Sequence, residues 1–141
     1  MTLVNCELAF APGPDGLAPV VVADAAAAAA AALADAVAWR RDALAVGPLE
    51  AGGALAVRAL SALAERLRPL PGAELHVVRL DGDDAVAACE ALERYVAERD
   101  VDDYQPAPER ARLAALRELR EPLRDAQARL MLAGLSFETP A

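Results

Sequence analysis

Residues 24–35 read DAAAAAAAALAD, with eight consecutive alanines from Ala25 to Ala32. A targeting segment, a membrane span, a disordered linker and a packed helix would each use such a run differently, so its reading decides the fold. Asp24 and Asp35 bracket ten uncharged residues, against the roughly 20 that a spanning helix needs. The N-terminal MTLVNCELAF has no basic segment of the kind that opens a secretory signal. Alanine is the best helix former, Asp24 is suited to cap a helix, and Gly47-Pro48 supplies a stop. The sequence therefore predicts a helix from Asp24 to Val46, about 34 Å long. Leu33, Val37 and Leu44 lie on one stripe of it, Trp39 and Val46 on another, and alanine's small side chain lets a neighbour approach closely.

Around this helix the chain of 141 residues is long enough for one ordinary core, expected over residues 1–133 with a frayed tail at 134–141. The apolar fraction is 56%, but 37 residues are alanine, so leucine and valine carry most of the core. There is no lysine and no isoleucine, one asparagine (Asn5), and every one of the 14 basic residues is arginine. A GC-rich, bacterial type of coding sequence accounts for that bias. The missing lysine excludes a Walker-type phosphate loop and Schiff-base chemistry.

Residues 1–10 alternate, with Val4, Cys6, Leu8 and Phe10 on one side and Leu3, Asn5, Glu7 and Ala9 on the other, which predicts a half-buried strand. APGPDG ends it with turn residues. LAPVVVA, residues 17–23, is a second extended segment in which Pro19 permits only an edge strand or a helix start. After the alanine helix, a second helix is expected from about Pro48 or Ala54 to Arg68, with Ala56, Leu60, Leu63 and Leu67 in its stripe. AELHVVRL, residues 73–80, is a short strand. DGDDAVAACEALERYVAERD, residues 81–100, is a helix with acids in its first turn, where the helix dipole favours them, and with an apolar stripe of Val86, Cys89, Leu92 and Val96. In the last helix Leu116, Leu119, Leu123, Ala126, Leu130 and Ala133 alternate three and four apart. Pro122 predicts a kink or restart there. Together these elements define a mostly helical α+β fold in the order β(β)ααβαα, a small two- or three-stranded sheet with about four helices. An all-α four-helix bundle is the alternative.

The functional content is sparse. A net charge of −8 disfavours nucleic acid and anionic lipid as partners. Cys6 and Cys89 do not form a disulfide framework, which implies a reduced, cytoplasmic setting. With His76 they make three dispersed soft ligands, too few for a structural zinc site, and no metal or other cofactor is expected. Cys89 and His76 are the weak candidates for thiol chemistry, with the Asp83/Asp84 pair beside them. Yet Cys89 falls on an apolar stripe, where cysteine acts as a small hydrophobe. Asp81–Asp84 fails the EF-hand pattern and reads as a helix cap. Arg117, Arg120 and Arg124 form a weak candidate anion site, more simply a solvated face paired with acids of the preceding helix. The leading expectation is a non-enzymatic accessory or adaptor protein. It would act by protein contact or self-association through the seam of Leu116, Leu119, Leu123 and Leu130, and through the acids Glu98, Asp102 and Asp103. The alternative is a small-molecule-binding protein or a thiol-dependent enzyme using Cys89, His76 and Asp83/Asp84.

Overall fold

A computed structural model describes residues 3–14, 16–46, 51–99 and 105–138, apart from the side chains of 51–52 and 135–138. Its elements run β1 (Leu3–Gly13), β2 (Gly16–Ala26), α1 (Ala27–Leu44), α2 (Ala51–Leu67), β3 (Leu75–Asp81), α3 (Gly82–Arg99) and α4 (Ala107–Glu138). The fold is α+β, with a three-stranded antiparallel sheet in the order β1-β2-β3 and four helices.

The alanine run is divided between two elements. Asp24, Ala25 and Ala26 belong to β2, where Asp24 faces Val4 on one side and Val77 on the other, and Ala25 faces Leu3 and His76. Pairing on both flanks outweighs alanine's local helix preference. Asp24 therefore does not cap α1. The helix begins after Ala26 with no side-chain cap, and the amide of Ala27 donates instead to the carbonyl of Glu74 at 2.9 Å. At 18 residues the helix is about 27 Å long, shorter than expected. From Ala29 to Val37 only Ala31 and Asp35 escape full burial, as befits a helix surrounded by neighbours. Val46 lies beyond its end and is 83% exposed.

β2 is the central strand, although Pro19 predicted an edge. The ladder to β3 begins only at Val20↔Asp81, so Pro19 lies where β2 is paired with β1 alone. In β1 the alternation breaks between Val4 and Glu7, where Asn5 adopts φ 53°. Asparagine tolerates that left-handed backbone. Its Nδ2 donates to Asp24 Oδ2 at 3.2 Å. The strand then continues to Gly13, past the turn expected after Phe10; Asp15 of that turn lies outside the described residues.

One face of the sheet is covered by helices. Val21, Ala23, Ala25, Val78 and Leu80 point inward and are at most 3% exposed. The main core joins Ala25, Val78 and Leu80 to Leu33, Val37, Leu60, Leu63 and Leu67 and to the apolar faces of α3 and α4. On α3 the buried stripe is Ala85, Ala88, Ala91, Leu92, Tyr95 and Val96. Val86, expected inside, is instead 47% exposed, because the small residues turn their own face toward α1 and α4. α4 runs unbroken across Pro122 and through Gly134 to Glu138, so no restart occurs and the helix extends into the segment expected as a frayed tail. Gly134 is not among the glycines of positive φ that end helices in the left-handed form.

Candidate functional site

The leucine seam belongs to the core. Leu116, Leu119, Leu123 and Leu130 are 0–3% exposed. The first three join the main cluster, and Leu130 packs with Val21, Ala85 and Ala126. A seam of this spacing needs an apolar partner, and the chain supplies its own from α1, α3 and β2, so association through these side chains would require opening the fold. Glu98 is exposed on α3, while Asp102 and Asp103 fall outside the described residues.

The thiol candidates are not assembled. His76 Nε2–H donates to the carbonyl of Arg66 at 2.7 Å, and no described hydrogen bond joins it to Cys89. Burial, aided by the nearby Glu93 carboxylate, pushes the Cys89 thiol from its ordinary 9.0 up to about 11, against a smaller opposing pull from Arg124. At neutral pH this is a protonated, unreactive thiol. At pH 8 the two values put its thiolate fraction about a hundredfold below that of an ordinary thiol. Cys89 in the folded chain should therefore alkylate with iodoacetamide at least tenfold more slowly than in urea, as followed by mass spectrometry. Equal rates would contradict the burial argument. The unfolded thiol ionises first as pH rises, so Cys89 also lowers stability progressively between about pH 9 and pH 11.

Asp81–Asp84 is a helix cap. The Asp84 amide donates to Asp81 Oδ1 at 2.8 Å, and the Asp81 amide donates to Asp84 Oδ2 at 3.1 Å, the reciprocal pattern of a capping box. Asp84 also takes a two-pronged ion pair from Arg66 at 2.7 and 3.1 Å, which raises the Arg66 pKa. On α4, Glu93 of α3 meets Arg124 at 2.7 Å and Arg120 at 3.3 Å. Arg117 is exposed and also has an interaction partner. Arg120 and Arg124 thus share one acid of the preceding helix. Among the described residues no cluster of His, Cys, Asp and Glu could hold a metal ion.

Sequence reasoning missed a polar junction at the opposite end of α3. Tyr95 O–H donates to Glu109 at 2.7 Å, and Arg112 donates to the Tyr95 oxygen at 3.2 Å. Arg112 also pairs with Glu109 and with Asp35, which in turn binds Arg68 at 2.6 Å. Arg99 pairs with Glu109 at 3.0 Å, and its guanidinium lies 3.7 Å from the Tyr95 ring centre and 5.3 Å from that of Trp39. Burial, then the bond to Glu109, raises the Tyr95 pKa. The network fastens α1, α3, α4 and the end of α2 together. The only early signs of it were helical spacings: Asp35 and Trp39, Tyr95 and Arg99, Glu109 and Arg112.

Several surfaces remain open among the described residues, the hairpin end with Leu8, Phe10 and Leu17 at 42–52% exposed among them. Another is the outer face of the sheet. Opposed residues share a face, so the register places Val4, Glu7 and Ala9 of β1 with Val20, Val22 and Asp24 of β2 and with Val77, Arg79 and Asp81 of β3. Leu75, opposite Ala26, continues it. Leu75 is 56% and Val77 59% exposed; Glu7, Ala9, Arg79 and Asp81 are exposed too, and Val20 is the buried exception. The free edge of β3 is blunted near α3, where Arg66 reaches the Arg79 carbonyl at 3.5 Å and Asp84 takes the Asp81 amide.

A further surface is a groove of about 200 Å³ between α1, α2 and α3. Leu44, Leu60, Leu63, Ala56, Ala59 and Ala87 give it an apolar lining, and Arg40, Asp83, Asp84 and Glu90 contribute its polar groups. Asp83 and Asp84 line this groove, whereas Cys89 and His76 do not; Arg117, Arg120 and Arg124 line a separate, open pocket with Glu121 and Asp125. No protein-family model matches the chain, and searches of curated proteins and of solved structures likewise returned no match.

Proposed function

We propose that the chain is a non-enzymatic accessory or adaptor protein that docks a basic amphipathic helix of a partner protein on the outer face of its sheet. The observation carrying this is the bare face itself: Leu75 and Val77 stand more than half exposed beside Val22, opposite a face on which Val21, Ala23, Ala25, Val78 and Leu80 are packed beneath the helices. No described helix is long and apolar enough to cross a membrane, and the free cysteines suit a reducing cytoplasm.

Size and charge select the occupant. Seven residues of β3 at about 3.3 Å each, across three strands about 4.8 Å apart, give a face of roughly 23 by 14 Å. That is about 300 Å², short of the roughly 800 Å² per partner of a stable interface. A second copy laid face to face would bury too little, and each copy carries a charge of −8. One helix, about 10 Å in diameter, fits the width, and the contact would be transient. Glu7, Asp24 and Asp81 outnumber Arg79 on this face, which favours a basic helix. Nucleic acid finds no such welcome, because the α4 arginines Arg120 and Arg124 already meet Glu93.

A photo-crosslinking residue at position 77, introduced in the native cells, tests the assignment. Mass spectrometry should map the crosslink to a basic amphipathic segment of another protein. Leu75→Glu should abolish it while leaving the circular dichroism spectrum unchanged. Crosslinks confined to this chain, or to a non-basic segment, would overturn it.

A further inference from the structure

The groove between α1, α2 and α3 lies on the helical layer, away from the proposed docking face, and its contents call for a different occupant. Its volume of about 200 Å³ is below the roughly 300 to 1,000 Å³ of sites for drug-sized ligands. At about 30 Å³ per water-sized unit it holds about six or seven non-hydrogen atoms. Leu44, Leu60 and Leu63 supply an apolar wall. The polar groups are three carboxylates and one guanidinium, and most are already engaged. Asp84 is held by Arg66 at 2.7 Å, and Glu90 is shared by Arg40 at 3.1 Å and Arg94 at 3.2 Å. Asp83 alone among them has no ion pair or hydrogen bond within the described residues.

We propose that this groove is a binding site for a small organic cation with a short apolar tail, of the class of a primary alkylammonium. The ammonium group pairs with Asp83, and the tail lies along Leu44, Leu60 and Leu63. A cation at Asp83 displaces no partner among the described residues. An anion would meet Asp83, Asp84 and Glu90 together, with Arg40 already bound to Glu90. A neutral tail alone would gain the apolar wall but leave the carboxylate unmatched, so charge is what distinguishes the ligand class.

The test is an NMR titration of the full chain at low ionic strength with three six-carbon probes: n-hexylammonium, 1-hexanol and hexanoate. Hexylammonium should shift the amides around Leu60, Asp83 and Ala87 and bind about three- to fivefold more tightly than hexanol, the range of an exposed ion pair. Hexanoate should be the weakest of the three. Asp83→Asn should reduce hexylammonium to the level of hexanol and leave hexanol unchanged. Ala59→Phe fills the groove from an exposed position and should abolish both. Equal binding of all three probes, a preference for hexanoate, an unchanged preference in Asp83→Asn, or shifts located elsewhere would each overturn the assignment. The Leu75→Glu variant should bind hexylammonium normally, so a failure here is separable from a failure of the sheet-face contact.

Discussion

Leu116→Ala is expected to destabilise the isolated chain by about 2 to 5 kcal/mol, a large share of the roughly 5 to 15 kcal/mol that holds a domain folded. Leu116 is 0% exposed at the centre of the α4 seam, within the same cluster as Leu92, Val96 and Val37. Removing its side chain forfeits the burial of three carbons and leaves a cavity between helices that cannot fully collapse. Urea unfolding at two chain concentrations tenfold apart distinguishes this from the role of an association seam. If the leucines serve the core, the midpoint falls sharply and equally at both concentrations. If they served self-association, the wild-type midpoint would rise with concentration and the variant would lose that dependence. The same heptad-like spacing fits both cases, which is why periodicity alone could not separate them.

What the sequence disclosed follows the range of the interactions involved. The capping box at Asp81 and Asp84 spans three residues and was legible as a cap. The alternation of β1, the turn signals around β3 and the leucine spacing of α4 are also local, and they led to the α+β fold. The position of β2 depends on partners about twenty residues before Asp24 and about fifty after it, in β1 and β3. Local propensity therefore assigned Asp24, Ala25 and Ala26 to a helix they do not join. The same holds for the sites. Tyr95 meets Arg112 across 17 residues, and Asp35 meets Arg68 across 33. The groove needs three helices to exist at all. Asp83 was visible as an acid at a helix start, but nothing local could show that the walls beside it would be Leu44 of one helix and Leu60 of another. The bare sheet face likewise follows from all the helices lying on one side, which no single segment encodes.

The alanine run supplies the second large effect. Ala30→Leu should cost about 1 to 3 kcal/mol by overpacking, whereas Ala28→Leu, two residues earlier, should change stability by no more than about 0.5 kcal/mol. Leucine and alanine have similar helix propensities, so the contrast isolates packing from backbone preference. Ala30 is 1% exposed within the main core, while Ala28 is exposed. Leucine at position 30 must push α1 away from the elements around it, and Ala29, Ala32, Ala34 and Ala36, all at most 4% exposed, leave it no slack on either side. Thermal unfolding of the two variants and the wild type provides the measurement. Equal midpoints for both variants would mean that the alanine surface has room for larger side chains. A drop confined to Ala30→Leu would show that the small side chains let α1 sit tightly among its neighbours. Codon bias can then account for how readily alanine arises here, while close packing accounts for why a larger residue is not accepted at position 30.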